Sequence, residues 1–65
     1  MSTPLPTTSG PAQRAFELAG YTTLEQLTTV RAADLRKLHG VGPKVIRILR
    51  EALAAHGLAF AGETS

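Results

Sequence analysis

The sequence LHGVGPKVIRILREAL, residues 38–53, places two glycines around one valine and follows them with proline and lysine. Gly40 permits the positive φ angle that ends a helix, and Val41 is expected to plug an apolar junction between two helices. Gly42 has no Cβ, so we expect another backbone to approach it closely. Pro43 suits the first turn of a following helix, where its missing N–H breaks no hydrogen bond. The pattern predicts two helices joined by a short turn.

The helix after this turn is the most regular element of the sequence. From Pro43 to His56, apolar residues recur along one arc at about 100° per residue, which predicts a face that packs on the core. This arc contains Val45, Ile46, Ile48, Leu49, Ala52 and Leu53. The opposite arc contains Lys44, Arg47, Arg50 and Glu51. Gly57 is expected to end the helix, before Leu58 and Phe60 fold back over it.

Two shorter helices are predicted in the first half of the chain. Ser9 is the expected N-cap of the first helix, with Pro11 in its first turn and Gly20 at its end. The apolar set of this helix is Ala15, Phe16, Leu18 and Ala19. The second helix has a capping-box pattern, in which Thr22 is the N-cap and Glu25 reaches back to it. Its expected core residues are Leu24 and Leu27.

A third short helix is predicted from Ala32 to Leu38, with Leu35 and Leu38 facing the core and Gly40 ending it. Arg31 holds its N-cap position, although arginine offers no acceptor to the free amides and adds a cation at the positive end of the helix dipole. Such a breach of a local rule is a mild indication of function. Since no strand pattern occurs, the sequence predicts a compact all-α domain of four helices.

Both ends of the chain are expected to be disordered. Residues 1–9, MSTPLPTTS, hold two prolines and five small polar residues, and contain too little apolar surface to order themselves. Residues 62–65, GETS, are short and polar and are predicted to form a frayed tail. The folded domain is therefore predicted to span residues 10–61.

Length and composition exclude several classes of protein. A chain of 65 residues is one small domain, because a second core would need roughly another hundred residues. The sequence has no cysteine for disulfides, and only His39 and His56 could serve as imidazole ligands, so we expect no structural zinc site. Scattered carboxylates and the lack of a nucleophile beside a base indicate no enzyme, no cofactor and no small-molecule substrate. Without a membrane span or signal peptide, we expect a cytoplasmic protein.

Positive charge is concentrated in the second half of the sequence. The net charge is only +2, but six of the seven basic residues lie between Arg31 and Arg50, against Asp34 alone. The predicted helix start at Pro43 also offers free amides beside Lys44, an arrangement that suits an anion such as a DNA phosphate. The charge pattern therefore favours an acidic partner such as nucleic acid.

Residues 38–53 resemble the helix-hairpin-helix motif of proteins that bind DNA without sequence specificity. A longer stretch, from about Gly10 to Phe60, is similar to the C-terminal domain of the bacterial RNA polymerase alpha subunit, which pairs such a hairpin with a further N-terminal helix pair. The similarity runs without gaps through Phe16, residues 21–24, Leu27, Leu35, Gly42, Lys44 and residues 55–58. It implies a SAM-like, helix-hairpin-helix domain of four to five helices.

The resemblance carries over at some positions and not at others. The hairpin glycine of the family matches Gly42, and its phosphate-contacting lysine matches Lys44. The arginine that the polymerase domain uses in the minor groove falls on Pro11, a contacting asparagine falls on Arg14, and a serine after the lysine is replaced by Val45. The resemblance therefore does not extend to recognition of a promoter element, while Arg14 could still supply a phosphate contact.

The candidate DNA-binding residues are His39, Gly40, Val41, Gly42, Lys44, Arg47 and Arg14. Lys44 and Arg47 lie off the core arc and would flank one anion, although Arg47 is also spaced to pair with Glu51. Tyr21 and Phe60 are interpreted as core residues rather than as stacking platforms for bases.

The predicted function is binding of duplex DNA through its backbone, since no predicted helix presents the row of side chains that base readout requires. Such a protein would be associated with the nucleoid. The alternative is an adaptor that docks on a protein partner, such as a polymerase or DNA-repair component. Structured RNA is a third possible ligand, because a hairpin that binds phosphate does not by itself distinguish the two sugars.

Overall fold

Four helices form the regular secondary structure of residues 2–63, the part of the chain that the computed structural model describes. They are α1 (Gly10–Ala19), α2 (Leu24–Leu27), α3 (Ala32–Leu35) and α4 (Pro43–Ala55). Over these residues the chain has no strand, only one isolated bridge between Pro4 and Thr23. The all-α prediction is therefore confirmed. In the same range, no helix has the length and apolar character needed to cross a membrane.

The two ends of α1 are as the sequence predicts. The Ser9 hydroxyl accepts a hydrogen bond from the Ala12 amide at 3.3 Å, and Gly20 ends the helix with φ +87°. The start of α2 differs by one residue from the predicted capping box. Thr23 is the N-cap, and the Gln26 side chain accepts from the Thr23 amide at 2.9 Å. Glu25 is therefore the second residue of the helix and not the third, and both its carboxylate oxygens accept hydrogen bonds from Thr3, as described below.

The third helix is shorter than predicted. Its α-helical part ends at Leu35, and the chain then tightens through i to i−3 hydrogen bonds, with the Lys37 amide donating to Asp34 at 3.2 Å and the Leu38 amide donating to Leu35 at 3.0 Å. Arg31 makes no side-chain cap, as expected. The fourth helix ends at Ala55, one residue earlier than predicted.

The core lies between α1, α2 and the apolar arc of α4. Its buried residues are Ala12, Phe16, Leu24, Leu27, Leu35, Val41, Val45, Ile46, Leu49, Leu53 and Phe60. Tyr21 is partly buried against this core, so both aromatic residues that were interpreted as core pack there. Ile48 is only partly buried, at the edge of the arc.

Leu18 does not join the core, and the prediction that it packs there is wrong. Its side chain is 84% exposed, and Ala19 is exposed as well. The reason is helical geometry, because α1 turns its Ala12 and Phe16 side inward and Leu18 follows Phe16 by about 200° around the helix axis.

Residues 2–9 follow the surface of the domain instead of lying free of it. The Glu25 carboxylate accepts from the Thr3 amide at 2.7 Å and from the Thr3 hydroxyl at 2.9 Å, and the Leu24 amide donates to the Thr3 carbonyl at 2.8 Å. Leu5 packs against the core. We call residues 3–5 the N-terminal strap. The prediction of disorder rests on composition alone, and composition does not show that Thr3 binds both Glu25 and the Leu24 amide.

The chain after α4 also folds back, as the sequence predicts. The Leu58 amide donates to the Leu53 carbonyl at 2.8 Å, and Phe60 is buried. Glu63 accepts two hydrogen bonds from Arg50, at 3.0 Å and 2.8 Å, and the Arg50 guanidinium lies 5.9 Å from the Phe60 ring centroid. The Arg50 hydrogen bond lowers the pKa of Glu63. The predicted disordered tail includes Thr64 and Ser65, which lie outside the described residues.

Candidate nucleic-acid interface

The chain between α3 and α4 makes a tight turn at Gly40. This glycine has φ +90°, and a Cβ placed on it would lie 2.9 Å from the Pro11 Cβ and 3.0 Å from the Pro11 carbonyl carbon and oxygen. The close backbone approach predicted at Gly42 is therefore found at Gly40. Gly42 itself has an extended backbone, with φ −112° and ψ −175°, and no atom of a non-adjacent residue in 2–63 lies within 4 Å of a Cβ placed on it.

Val41 fixes the turn from inside. Its side chain is buried in the core, and its amide donates to the Leu38 carbonyl at 3.2 Å. Val41 was a candidate DNA-binding residue, but burial leaves only its backbone near the surface. Together, Gly40 against Pro11 and Val41 in the core set the position and direction in which α4 begins.

The first turn of α4 has unused hydrogen-bond donors. Across residues 2–63, the amides of Gly42, Lys44 and Val45 donate to no backbone carbonyl, and no side chain caps the helix. Ile46 is the first residue of this helix to donate, to the Gly42 carbonyl at 3.1 Å. Since α4 is 13 residues long, its dipole adds a partial positive charge of roughly half an elementary charge at these amides.

Lys44 and Arg47 add full charges near this turn. Both side chains are exposed on α4, three residues apart. Arg47 lies 3.8 Å from the Glu51 carboxylate, and both partners are more than 70% exposed, so solvent and salt weaken this pair. Arg50, the next cation on the same arc, already donates two hydrogen bonds to the Glu63 carboxylate. Lys44 and Arg47 are therefore the cations that this part of α4 offers to an anion.

Arg14 and His39 both line a surface groove between α1 and the turn before α4. The groove has a volume of about 670 Å³ and is mostly apolar. Its lining includes Pro11, Arg14, Ala15, Leu18, Leu38 and His39. We call it the α1 groove. The sequence did not predict it, because Leu18 was placed in the core and nothing local indicates that Pro11 touches Gly40.

The structure thus brings the candidate residues together in two neighbouring groups. The first contains Gly40, Val41, Gly42, Lys44 and Arg47, at the turn and the start of α4. The second contains Arg14 and His39, in the α1 groove. The contact of Gly40 with Pro11 joins the two groups.

No family model, curated protein or solved structure matches the chain. The resemblance to helix-hairpin-helix domains therefore stays a prediction, as does the expectation that the chain is not an enzyme.

Proposed function

We propose that this chain is a helix-hairpin-helix domain of the SAM-like class that binds duplex DNA through the phosphate backbone, with little sequence preference. The single observation that carries the proposal is the uncapped start of α4, where three free amides lie beside the exposed Lys44. In this proposal α3 and α4 are the two helices of the motif, and residues 36–42 are its hairpin.

A phosphate at the start of α4 would satisfy groups that the protein leaves unpaired. The amides of Gly42, Lys44 and Val45 are oriented donors, and hydrogen bonds to a charged acceptor are about twice as strong as neutral ones. The open space beside Gly42 leaves room for a phosphate oxygen to approach the backbone. Lys44 supplies the full charge, and Arg47, almost one turn later, is placed for a neighbouring phosphate.

The exposed arc of α4 does not suit direct readout of bases. Readout of several bases needs a row of side chains that are free to contact them, but Arg50 is bound to Glu63, which leaves Arg47 as the arginine of this arc that could reach a guanine. Glu51 adds a carboxylate to the same arc and would repel the phosphates on either side of a groove. Phosphate contacts therefore provide most of the affinity in this proposal.

The number of available cations limits the affinity. If three or four phosphates are neutralised, the logarithm of the association constant should fall with the logarithm of salt concentration at a slope of roughly −3. The dissociation constant of one domain should lie at about 10⁻⁴ to 10⁻⁶ M. Tight binding in a cell would require several copies or a partner on the same DNA.

The test is a chemical-shift titration of the isotope-labelled domain with a random-sequence duplex of about 12 base pairs, at low and moderate salt. We expect salt-sensitive shifts at Gly40, Val41, Gly42, Lys44 and Arg47. If millimolar duplex causes no chemical-shift changes while the fold is intact, the proposal is overturned. A parallel titration with an RNA duplex of the same sequence shows whether the surface distinguishes the two nucleic acids.

Lys44→Glu should abolish these shifts without unfolding the domain, because Lys44 is exposed and outside the core. Arg31→Glu is the matched control, since it makes the same change in net charge at the start of α3, beside Gly62. It should leave most of the binding intact. An equal loss in both variants would show that only net charge matters and would contradict a site at α4.

A further inference from the structure

The α1 groove is a second surface that the proposed DNA contacts do not explain. Its lining is mostly apolar and includes Pro11, Ala15 and Leu38. A volume of about 670 Å³ is enough for one or two large side chains, and the groove is open to solvent along α1. Apart from Arg14 and His39, the residues that line the groove offer no side-chain donor to a phosphate, so its apolar part is poorly suited to DNA.

Leu18 extends the apolar surface of the groove. Of the large hydrophobic side chains in residues 2–63, it is the one that is exposed, at 84%. A single exposed leucine is ordinary on a protein surface, but this one borders an apolar depression. Leucine and groove together form a continuous apolar patch that a partner side chain could cover.

The lining of the groove contains the positive charge of Arg14 and the imidazole of His39, and it contains no carboxylate. The acidic residue of α1, Glu17, borders a second depression together with Leu5 of the N-terminal strap. Glu17 follows Arg14 by three residues, so the two side chains are neighbours on the helix surface, but only Arg14 lines the α1 groove.

We propose that the α1 groove binds an acidic segment of a partner protein, which inserts a leucine or phenylalanine side chain onto Ala15 and Leu38 and places carboxylates beside Arg14 and His39. A second copy of this chain is a poorer occupant, since an isologous dimer across the groove would bring together two linings that contain no carboxylate for Arg14. The inference does not require the proposed DNA binding, because neither Lys44 nor Arg47 takes part.

The experiment uses a synthetic amphipathic peptide of about 15 residues, with leucine and phenylalanine on one helical face and aspartate and glutamate on the other. The labelled full chain is titrated with this peptide and with a version in which asparagine and glutamine replace the acids. We expect the acidic peptide to shift the amides of Ala15, Leu18, Ala19, Leu38 and His39, and the neutral version to bind at least about fivefold more weakly.

Two variants locate the contact. Leu18→Ala should weaken binding about tenfold, because most of one buried leucine contact is lost, and Arg14→Glu should weaken it by a similar factor. Gln13→Glu is the control on the same helix, since Gln13 borders the other depression, and it should leave the affinity nearly unchanged. Because these side chains are exposed, the variants should keep the fold.

Three outcomes would overturn the inference. The first is that the acidic peptide causes no shifts in the groove. The second is that its shifts persist in both Leu18→Ala and Arg14→Glu. The third is that the groove amides shift with protein concentration alone, which would identify a second copy as the occupant. Lys44→Glu separates this site from the proposed DNA site. It should remove DNA binding and retain peptide binding.

Discussion

Gly40 combines two constraints at one residue. Its φ of +90° is unfavourable for any residue with a Cβ, and the space where a Cβ would lie is filled by Pro11. We expect Gly40→Ala to lower the free energy of unfolding by about 2–4 kcal/mol, from backbone strain and the clash together. Urea unfolding followed by circular dichroism measures this loss.

Gly42→Ala is the matched variant, because Gly42 is extended and has open space around it. Its unfolding free energy should stay within about 0.5 kcal/mol of the original. A methyl group at this position would nevertheless enter the space proposed for phosphate, so DNA binding should weaken. Equal destabilisation by the two alanines would contradict the structure of the turn. The local sequence predicts that the two glycines form a tight turn. Which of them approaches another backbone depends on Pro11, which is distant in sequence.

At the scale of elements, the Glu25 carboxylate is one of the groups that hold the N-terminal strap on α2. Hydrogen bonds from the Thr3 amide, and further bonds from the Thr3 hydroxyl, hold the pKa of Glu25 below its ordinary value of 4.5. A lowered pKa in the folded state means that the stabilisation is present above the unfolded value and is lost as pH falls through the folded value. We therefore expect the attachment of the strap to weaken in acid, as pH falls below about 4.5.

Hydrogen exchange of the Leu24 amide reports this weakening, because that amide donates to the Thr3 carbonyl. Glu25→Gln should lower its protection at neutral pH and flatten its pH dependence. Glu51→Gln, which removes the same charge from α4, should change neither. Protection that is independent of pH between 3 and 7 in the original chain would refute the role of Glu25.

The four helices can be predicted from patterns of neighbouring residues in the sequence. The attachment of the strap cannot be predicted in this way. Caps such as Ser9 and Gly20 act within a few residues, so sequence spacing is sufficient to locate them. The bond between Thr3 and Glu25 joins two separate segments, and neither residue type indicates the other. The shift of the α2 N-cap has the same origin, since Glu25 binds the strap and leaves Gln26 to cap.

At the scale of the whole molecule, packing creates surfaces that no single element contains. The α1 groove exists because α1 lies beside the turn before α4, and Leu18 becomes part of it because Phe16 turns inward. The sequence places positive charge in the second half of the chain, and in the structure part of that charge is paired with carboxylates. Arg50 is bound by Glu63, so fewer cations remain free than the sequence suggests.

The pairing of cations with carboxylates leads to a prediction about DNA affinity. Glu51 lies on the exposed arc of α4 and pairs loosely with Arg47. Glu51→Gln should free Arg47 and remove a repulsive charge, so we expect DNA affinity to rise about two- to fivefold at low salt, with a somewhat steeper salt dependence. Fluorescence anisotropy with a labelled duplex, repeated across salt concentrations, measures both quantities.

Glu17→Gln makes the same change in net charge on the side of α1 that borders the second depression. If DNA lies along the start of α4, this variant should raise the affinity much less than Glu51→Gln. Equal gains in DNA affinity in the two variants would mean that the affinity depends only on the total charge of the domain. A gain confined to Glu51→Gln would place the phosphates beside Lys44 and Arg47, because charge near a bound phosphate acts over roughly one Debye length, about 10 Å at 0.1 M salt.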